Sequence, residues 1–221
     1  MTKAVCHLCS TRIIMKIICI GRNYAEHAKE LGNAIPTEPL FFLKPDSAVL
    51  AHRHPFYIPA WTKEVHHEVE LLIRICRNGK AIQPEFAHRY FDAISLGIDF
   101  TARDVQAEAK AKGHPWEKAK AFDGSAVISK KWILTDALDS GWESIPFHLN
   151  KNGAKVQSGC ALDMIHHVHN LIAHVSQFMT LKMGDVIFTG TPSGVGKIAD
   201  GDVLEGFLNE DSMFRVNVHG T

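Results

Sequence analysis

The chain has 221 residues, 46% of them hydrophobic, which suits one globular unit with a sizeable core. Its 24 Lys and Arg residues balance 24 Asp and Glu residues, so no net field points to nucleic acid or to an anionic membrane. No apolar run reaches the roughly 20 residues of a membrane helix, and Cys6, Cys9, Cys19, Cys76 and Cys160 are odd in number and irregular in spacing, which argues against a disulfide framework. The expectation is a cytosolic protein.

Met15 resembles a natural start, so residues 1–14 are read as a weakly packed extension and 15–221 as a single domain. The Cys6-x-x-Cys9 pair lacks the second ligand pair that zinc needs. Residues 15–20 predict a buried strand. A short helix follows, with Asn23 as N-cap, Glu26 completing a capping box and Gly32 as the stop. Five prolines make 33–60 a region of loops and short strands. Residues 61–76 alternate as one strand before a turn at Asn78-Gly79. A helix over 85–91 and a buried strand over 93–98 come next, then a helix over 101–112 capped by Thr101 and stopped by Gly113. Short strands fill 125–156, with a hairpin at "KNGAK". An apolar stripe from Met164 to Met179 predicts a helix over 163–181, and strands follow at 186–189 and beyond 202.

The stretch "VHHEVELLIRI" carries the strongest chemical signal. On a strand, Glu68 and Glu70 share a face and repel unless a cation separates them; a solvated outer face is the bland alternative. Asp99 ends the apolar run "AISLGID" and must be paired, hydrated or metal-bound; pairing with Arg103 would suffice. If the three converge, they form an all-oxygen site for Mg²⁺, Mn²⁺ or Ca²⁺. His27 and Glu30 share a helix face at i and i+3, the arrangement of a carboxylate-oriented general base. Lys120, Arg22, Arg103 and Gln106 are surface residues or binding groups for an anionic substrate. The histidines His166, His167, His169 and His174 lack a zinc-binding pattern and are read as packing or solvated groups. "TGTPSGVGK" fails as a phosphate-binding loop, because Thr191 and Ile198 stand at two defining positions. A nucleotide-binding module and a zinc-binding interaction domain are therefore the rivals to set aside.

Together "GRNYAEHAKE", "PLFFLKP", "VHHEVEL", "GIDFTARDVQ", "PWEKAKAFDGS", "DMIH" and "GDVIFTGTPSGVG" resemble the fumarylacetoacetate hydrolase family, in its short acylpyruvase-type members. The resemblance implies a mixed α/β, β-rich fold, a β-roll with flanking helices, and a homodimer. It implies Glu68, Glu70 and Asp99 as ligands of Mg²⁺ or Mn²⁺, and His27 and Glu30 as a catalytic pair on a lid-like helix. It further implies Lys120, Arg22, Arg103 and Gln106 at the substrate, with Thr191 on its carboxylate. The implied chemistry is that of a small 2-oxo acid reacting through an enolate, with acylpyruvate hydrolysis or oxaloacetate decarboxylation as the leading reactions and oxaloacetate tautomerisation or hydroxyheptadienedioate isomerisation as alternatives on the same site. Cys160 departs from the family's usual Ser or Thr, and residues 1–14 match none of its motifs.

Overall fold

The computed structural model describes residues 16–30, 36–138 and 141–220; the extension, Gly32 and the Cys6/Cys9 pair lie outside them. A seven-stranded sheet runs in the order Leu40–Lys44, Ile17–Gly21, Val186–Phe188, Val69–Ile75, Phe91–Asp99 and Ala126–Ile128, with Ile133–Leu134 also pairing Phe91–Asp99. A five-stranded sheet holds Ala154–Gly159, Phe147–Lys151, Val203–Leu208, Asp211–His219 and Phe56–Tyr57. A small third sheet joins Gly196–Lys197, Val65–His67 and Thr101–Ala102. The result is a β-rich mixed α/β roll.

Both faces of the larger sheet are buried, which explains its nearly unbroken apolar runs. Ile18, Ile20, Val69, Leu71 and Ile73 join Phe147, Leu149 and Leu204 in the main core, whereas Ile17, Cys19, Leu72 and Phe188 pack in a second cluster. The described helices are α1 (Ala25–Glu30), α2 (Arg103–Lys112), α3 (Glu117–Lys120) and α4 (Val168–Phe178). The hairpin at "KNGAK" forms as expected, with Asn152 at φ 54° and Gly153 at φ 81°.

Several expectations are corrected. The predicted strand over 61–76 is two strands that break at Glu68 and enter different sheets. Thr101 does not cap α2; it lies in the two-residue strand Thr101–Ala102, and Ala102 precedes the helix without a side-chain cap. Gly113 does stop α2, at φ 64°. Asn23 is not engaged as a cap either. Its Nδ2 donates to the carbonyls of Thr189 (2.8 Å) and His166 (3.1 Å), and its Oδ1 accepts from His166 N–H at 2.8 Å. The helix predicted over 163–181 shortens to α4, because Met164 bridges Tyr24 and Ile165 N–H donates to Asn23 O, which holds that stretch extended. The helix predicted over 85–91 is a 3₁₀ segment, Pro84–Arg89.

Candidate active site

The sheet register brings the three carboxylates together. Asp99 N–H donates to Glu68 O at 2.8 Å, so Asp99 stands opposite Glu68, while Glu70 pairs with Gly97 two residues along. Positions i and i+2 of one strand and the cross-strand neighbour share a face. One ligand oxygen from each of Glu68, Glu70 and Asp99 lies within 4.8 Å of the others, and all three residues are buried.

Buried cations answer this charge only in part. Lys120 is 3% exposed, which rules out a surface lysine. Its Nζ donates to Asp99 Oδ2 (2.7 Å), Glu68 Oε2 (2.9 Å) and Thr101 Oγ1 (2.6 Å). Arg103 donates to Glu68 rather than to Asp99, and its Nη1 donates to Gln106 Oε1 at 2.6 Å. Lys44 Nζ lies 2.8 Å from Asp99 Oδ1 as an ion pair, but out of line for a hydrogen bond, so that oxygen is buried without an aligned donor. Glu70 accepts Gly190 N–H at 2.6 Å and has no Lys or Arg in ion-pair contact among the described residues. Gly190 can approach this way because its φ is 99° and a Cβ there would sit 2.7 Å from Asn23 Cβ.

The electrostatic outcome differs for the two glutamates. Burial opposes ionisation of Glu68, yet Lys120 and Arg103 hold its carboxyl well below the usual range. Glu70 is pushed up, by burial first and then by Asp99 and Glu68. Burial pulls the Lys120 ammonium down, but Asp99 and Glu68 more than offset it and leave it raised. A divalent cation fits what is missing: an acceptor without an aligned donor on Asp99 and a buried Glu70 that lacks a cation. An all-carboxylate donor set suits a hard ion that prefers oxygen.

A cavity of about 40 Å³ opens beside these ligands. Arg22, His27, Arg103, Gln106, Lys120 and Thr191 all line it. His27 is 5% exposed and its Nδ1 lies 3.1 Å from Glu30 Oε2. Glu30 does not line the cavity; both its oxygens are 3.2 Å from Gly194 N–H, which fixes α1 to the glycine-rich loop. Thr191 Oγ1 donates to Val69 O at 2.8 Å and accepts from Gln157 at 2.9 Å, so its hydroxyl is already engaged.

Sequence reasoning missed four residues here: Lys44, Lys110, Trp116 and Gln157. A lysine closing the apolar run "LFFLK" was the available signal for Lys44. Gln157 is buried on a distant strand and had no local signal. Its Oε1 accepts from Val69 N–H (3.1 Å) and His67 Nδ1 (2.9 Å), and its Nε2 also donates to Pro192 O at 3.0 Å. It therefore holds the residue between the two glutamates and the loop bearing Thr191 in one network. The histidines pack as expected: His174 stacks edge-on to Phe41, and His169 lies beside Phe91 and His88.

A profile described as fumarylacetoacetate (FAA) hydrolase C-terminal matches residues 16–218. The oxaloacetate tautomerase YcgM of Escherichia coli is 42% identical over 191 residues, covering 86% of this chain and 87% of that protein. The mitochondrial oxaloacetate decarboxylase of Dictyostelium discoideum is 44% identical, covering 86% of this chain and 87% of its own. Among solved structures, fumarylpyruvate hydrolase from Pseudomonas aeruginosa in complex with Mn²⁺ and pyruvate superposes with a TM-score of 0.86 at 32% identity, covering 94% of this chain and 91% of that one.

Proposed function

From the premise that this chain belongs to the fumarylacetoacetate hydrolase family and is an enzyme, we propose that it acts on oxaloacetate, with keto–enol tautomerisation as its leading reaction. The observation that carries the metal-assisted enolate chemistry is the buried triad Glu68, Glu70 and Asp99, opening onto a small cavity lined by cations; the choice of oxaloacetate is supported by the relatives that act on it. The triad would hold Mg²⁺, or Mn²⁺ or Ca²⁺ in its place. Bound there, the ion supplies Lewis-acid polarisation of a 2-oxo acid and lowers the cost of its enolate.

The chain's own groups supply the proton traffic and the positioning. A tautomer with Nδ1–H directed at Glu30 would leave Nε2 of His27 as the ring's basic nitrogen, on a residue that lines the cavity. Tautomerisation asks His27 to take a proton from the carbon beside the keto group, while another group returns one to oxygen. Arg103, Gln106 and Lys120 surround the same space and orient the anion. Decarboxylation of oxaloacetate instead breaks the bond to the distal carboxylate, releases CO₂ and leaves the enolate of pyruvate, whose charge the same site would hold. The His27–Glu30 pair also favours a second reading, in which His27 activates water and an acylpyruvate is cleaved.

Two further parts of this reading concern the setting. A homodimer is supported by the edge strand Leu40–Lys44, whose Leu40 and Leu43 are exposed, and by an open groove of about 1180 Å³ lined partly by Leu43, Trp61 and Phe122. Placement in the cytosol accords with the free thiols of Cys19 and Cys160. No helix among the described residues is long and apolar enough to cross a membrane.

The test is a substrate panel with Mg²⁺: enol and keto oxaloacetate, acetylpyruvate and 2-hydroxyhepta-2,4-diene-1,7-dioate. Enol oxaloacetate should convert fastest. A preference for acetylpyruvate would move the assignment to hydrolysis, and inertness toward all four would overturn the reading.

A further inference from the structure

The aromatic wall of the cavity carries an ammonium group at each end. Lys120 Nζ sits 5.3 Å from the Phe42 ring centroid, beside the carboxylate triad. Phe42 and Trp116 meet edge to face at 6.2 Å. At the far end Lys110 Nζ sits 5.6 Å from the Trp116 ring centroid. Lys110 is exposed, so this end is the mouth.

The inner cations are committed and the outer ones are not. Lys120 and Arg103 bond the triad. Among the described residues, neither Arg22 nor Lys110 has a carboxylate within ion-pair distance, although both line the cavity. Arg22 is held at φ 57°, the left-handed region that a side chain bearing a Cβ rarely adopts. Such strain persists where the surroundings impose it, often to aim a side chain. Crowding of like charge is a further mark: the Lys110 ammonium is pulled below its ordinary value by partial burial at the mouth and then by Arg22, Arg103 and Lys120. Four cationic side chains line this cavity against three carboxylates. With all three carboxylates ionised, one positive charge is in excess, and three once a divalent ion is bound.

We infer that Lys110, braced on Trp116, forms with Arg22 a subsite for a second, distal carboxylate, which makes the enzyme selective for compact 2-oxo dicarboxylic acids over 2-oxo acids with an uncharged tail. This rests on the oxaloacetate reading and names the residues that would read the substrate's far end. The cavity is small, about 40 Å³, which favours a substrate whose second carboxylate is only a few bonds from the first. A carboxylate arriving there relieves the repulsion between Arg22 and Lys110 and gains charge-assisted hydrogen bonds.

Malate and lactate test this without turnover, because they share a 2-hydroxy carboxylate head and differ by the distal carboxylate alone. Their dissociation constants are measured with Mg²⁺ present by ligand-dependent thermal shift, for wild type, Lys110→Met and Lys110→Arg. Wild type should prefer malate. Lys110→Met keeps the length of the chain and its contact with Trp116 but removes the charge, and should cut the malate-to-lactate preference by about five- to tenfold. Lys110→Arg should keep most of it. An unchanged preference in Lys110→Met, or equal weakening of both ligands, would overturn the subsite. Failure of the oxaloacetate reading looks different: wild type would still select malate, yet leave oxaloacetate tautomerising at its uncatalysed rate, and the subsite would stand.

Discussion

Glu70→Gln separates two demands that the site makes on one side chain. The ligand oxygens of Glu68, Glu70 and Asp99 lie within 4.8 Å of one another, and at an effective dielectric of about 20 two unit charges at that distance repel by about 3.5 kcal/mol. Without a cation, Glu70 either bears that repulsion or takes up a proton. From its ordinary value of 4.5, staying protonated at about pH 7 costs about 3.4 kcal/mol. Both routes therefore weaken the metal-free protein by a similar amount. Lys120 and Lys44, close to the triad, offset part of it, which leaves about 1.5–3 kcal/mol to be recovered by the isosteric amide. Glutamine keeps an oxygen for Gly190 N–H. In a chain of this size the gain corresponds to a Tm increase of roughly 3–10 °C. The assay is thermal unfolding of both proteins in chelator and in Mn²⁺. Glu70→Gln should melt higher than wild type in chelator, and the stabilisation by Mn²⁺ seen in wild type should be largely lost. A lower Tm in chelator would refute the claim that Glu70 is held against like charge.

Three other outcomes follow from the same geometry. His27→Gln should lower oxaloacetate tautomerisation and acetylpyruvate hydrolysis by about 10²–10⁴, and decarboxylation much less; equal losses in all three would assign His27 to a shared step instead. Gln157→Leu removes four hydrogen bonds, of 2.9–3.1 Å, and should lower Tm by at least about 5 °C while weakening Mn²⁺ binding; a lower Tm with unchanged Mn²⁺ affinity would show that the amide does not set the ligand geometry. Because the folded, metal-free state raises the Glu70 value, ionisation there destabilises that state as pH rises above about 4.5, whereas metal keeps the group ionised. The Tm gain from Mn²⁺ should therefore grow with pH above that point, and a flat or falling gain measured by pH-dependent melting would contradict it.

What the sequence made legible was local or periodic. His27 and Glu30 at i and i+3 needed only a helix, and that contact is present at 3.1 Å. Glu68 and Glu70 needed only strand parity, which survives the break at Glu68 because both residues still face Asp99 across the sheet. What stayed hidden depended on distant partners. Thr101 scores as a helix cap, yet Lys120 takes its hydroxyl, from 19 residues away. Asn23 scores likewise, and the chain near Thr189 and His166 claims its amide instead. The stretch before α4 has the apolar spacing of a helix, but its pairing with Tyr24 outweighs that propensity. Lys110 and Trp116 look like ordinary surface residues until α2 and α3 set them at the cavity mouth.

The central claim is that a divalent ion on Glu68, Glu70 and Asp99 drives enolate chemistry on a 2-oxo acid. The direct measurement is the rate of enol-to-keto conversion of oxaloacetate by chelator-stripped protein, before and after adding Mg²⁺, in wild type and Asp99→Asn. Stripped wild type should be inactive and should recover on adding Mg²⁺, while Asp99→Asn, folded by circular dichroism, should stay near the uncatalysed rate. Undiminished conversion by stripped protein, or full recovery of Asp99→Asn at the same Mg²⁺ concentration, would contradict the account.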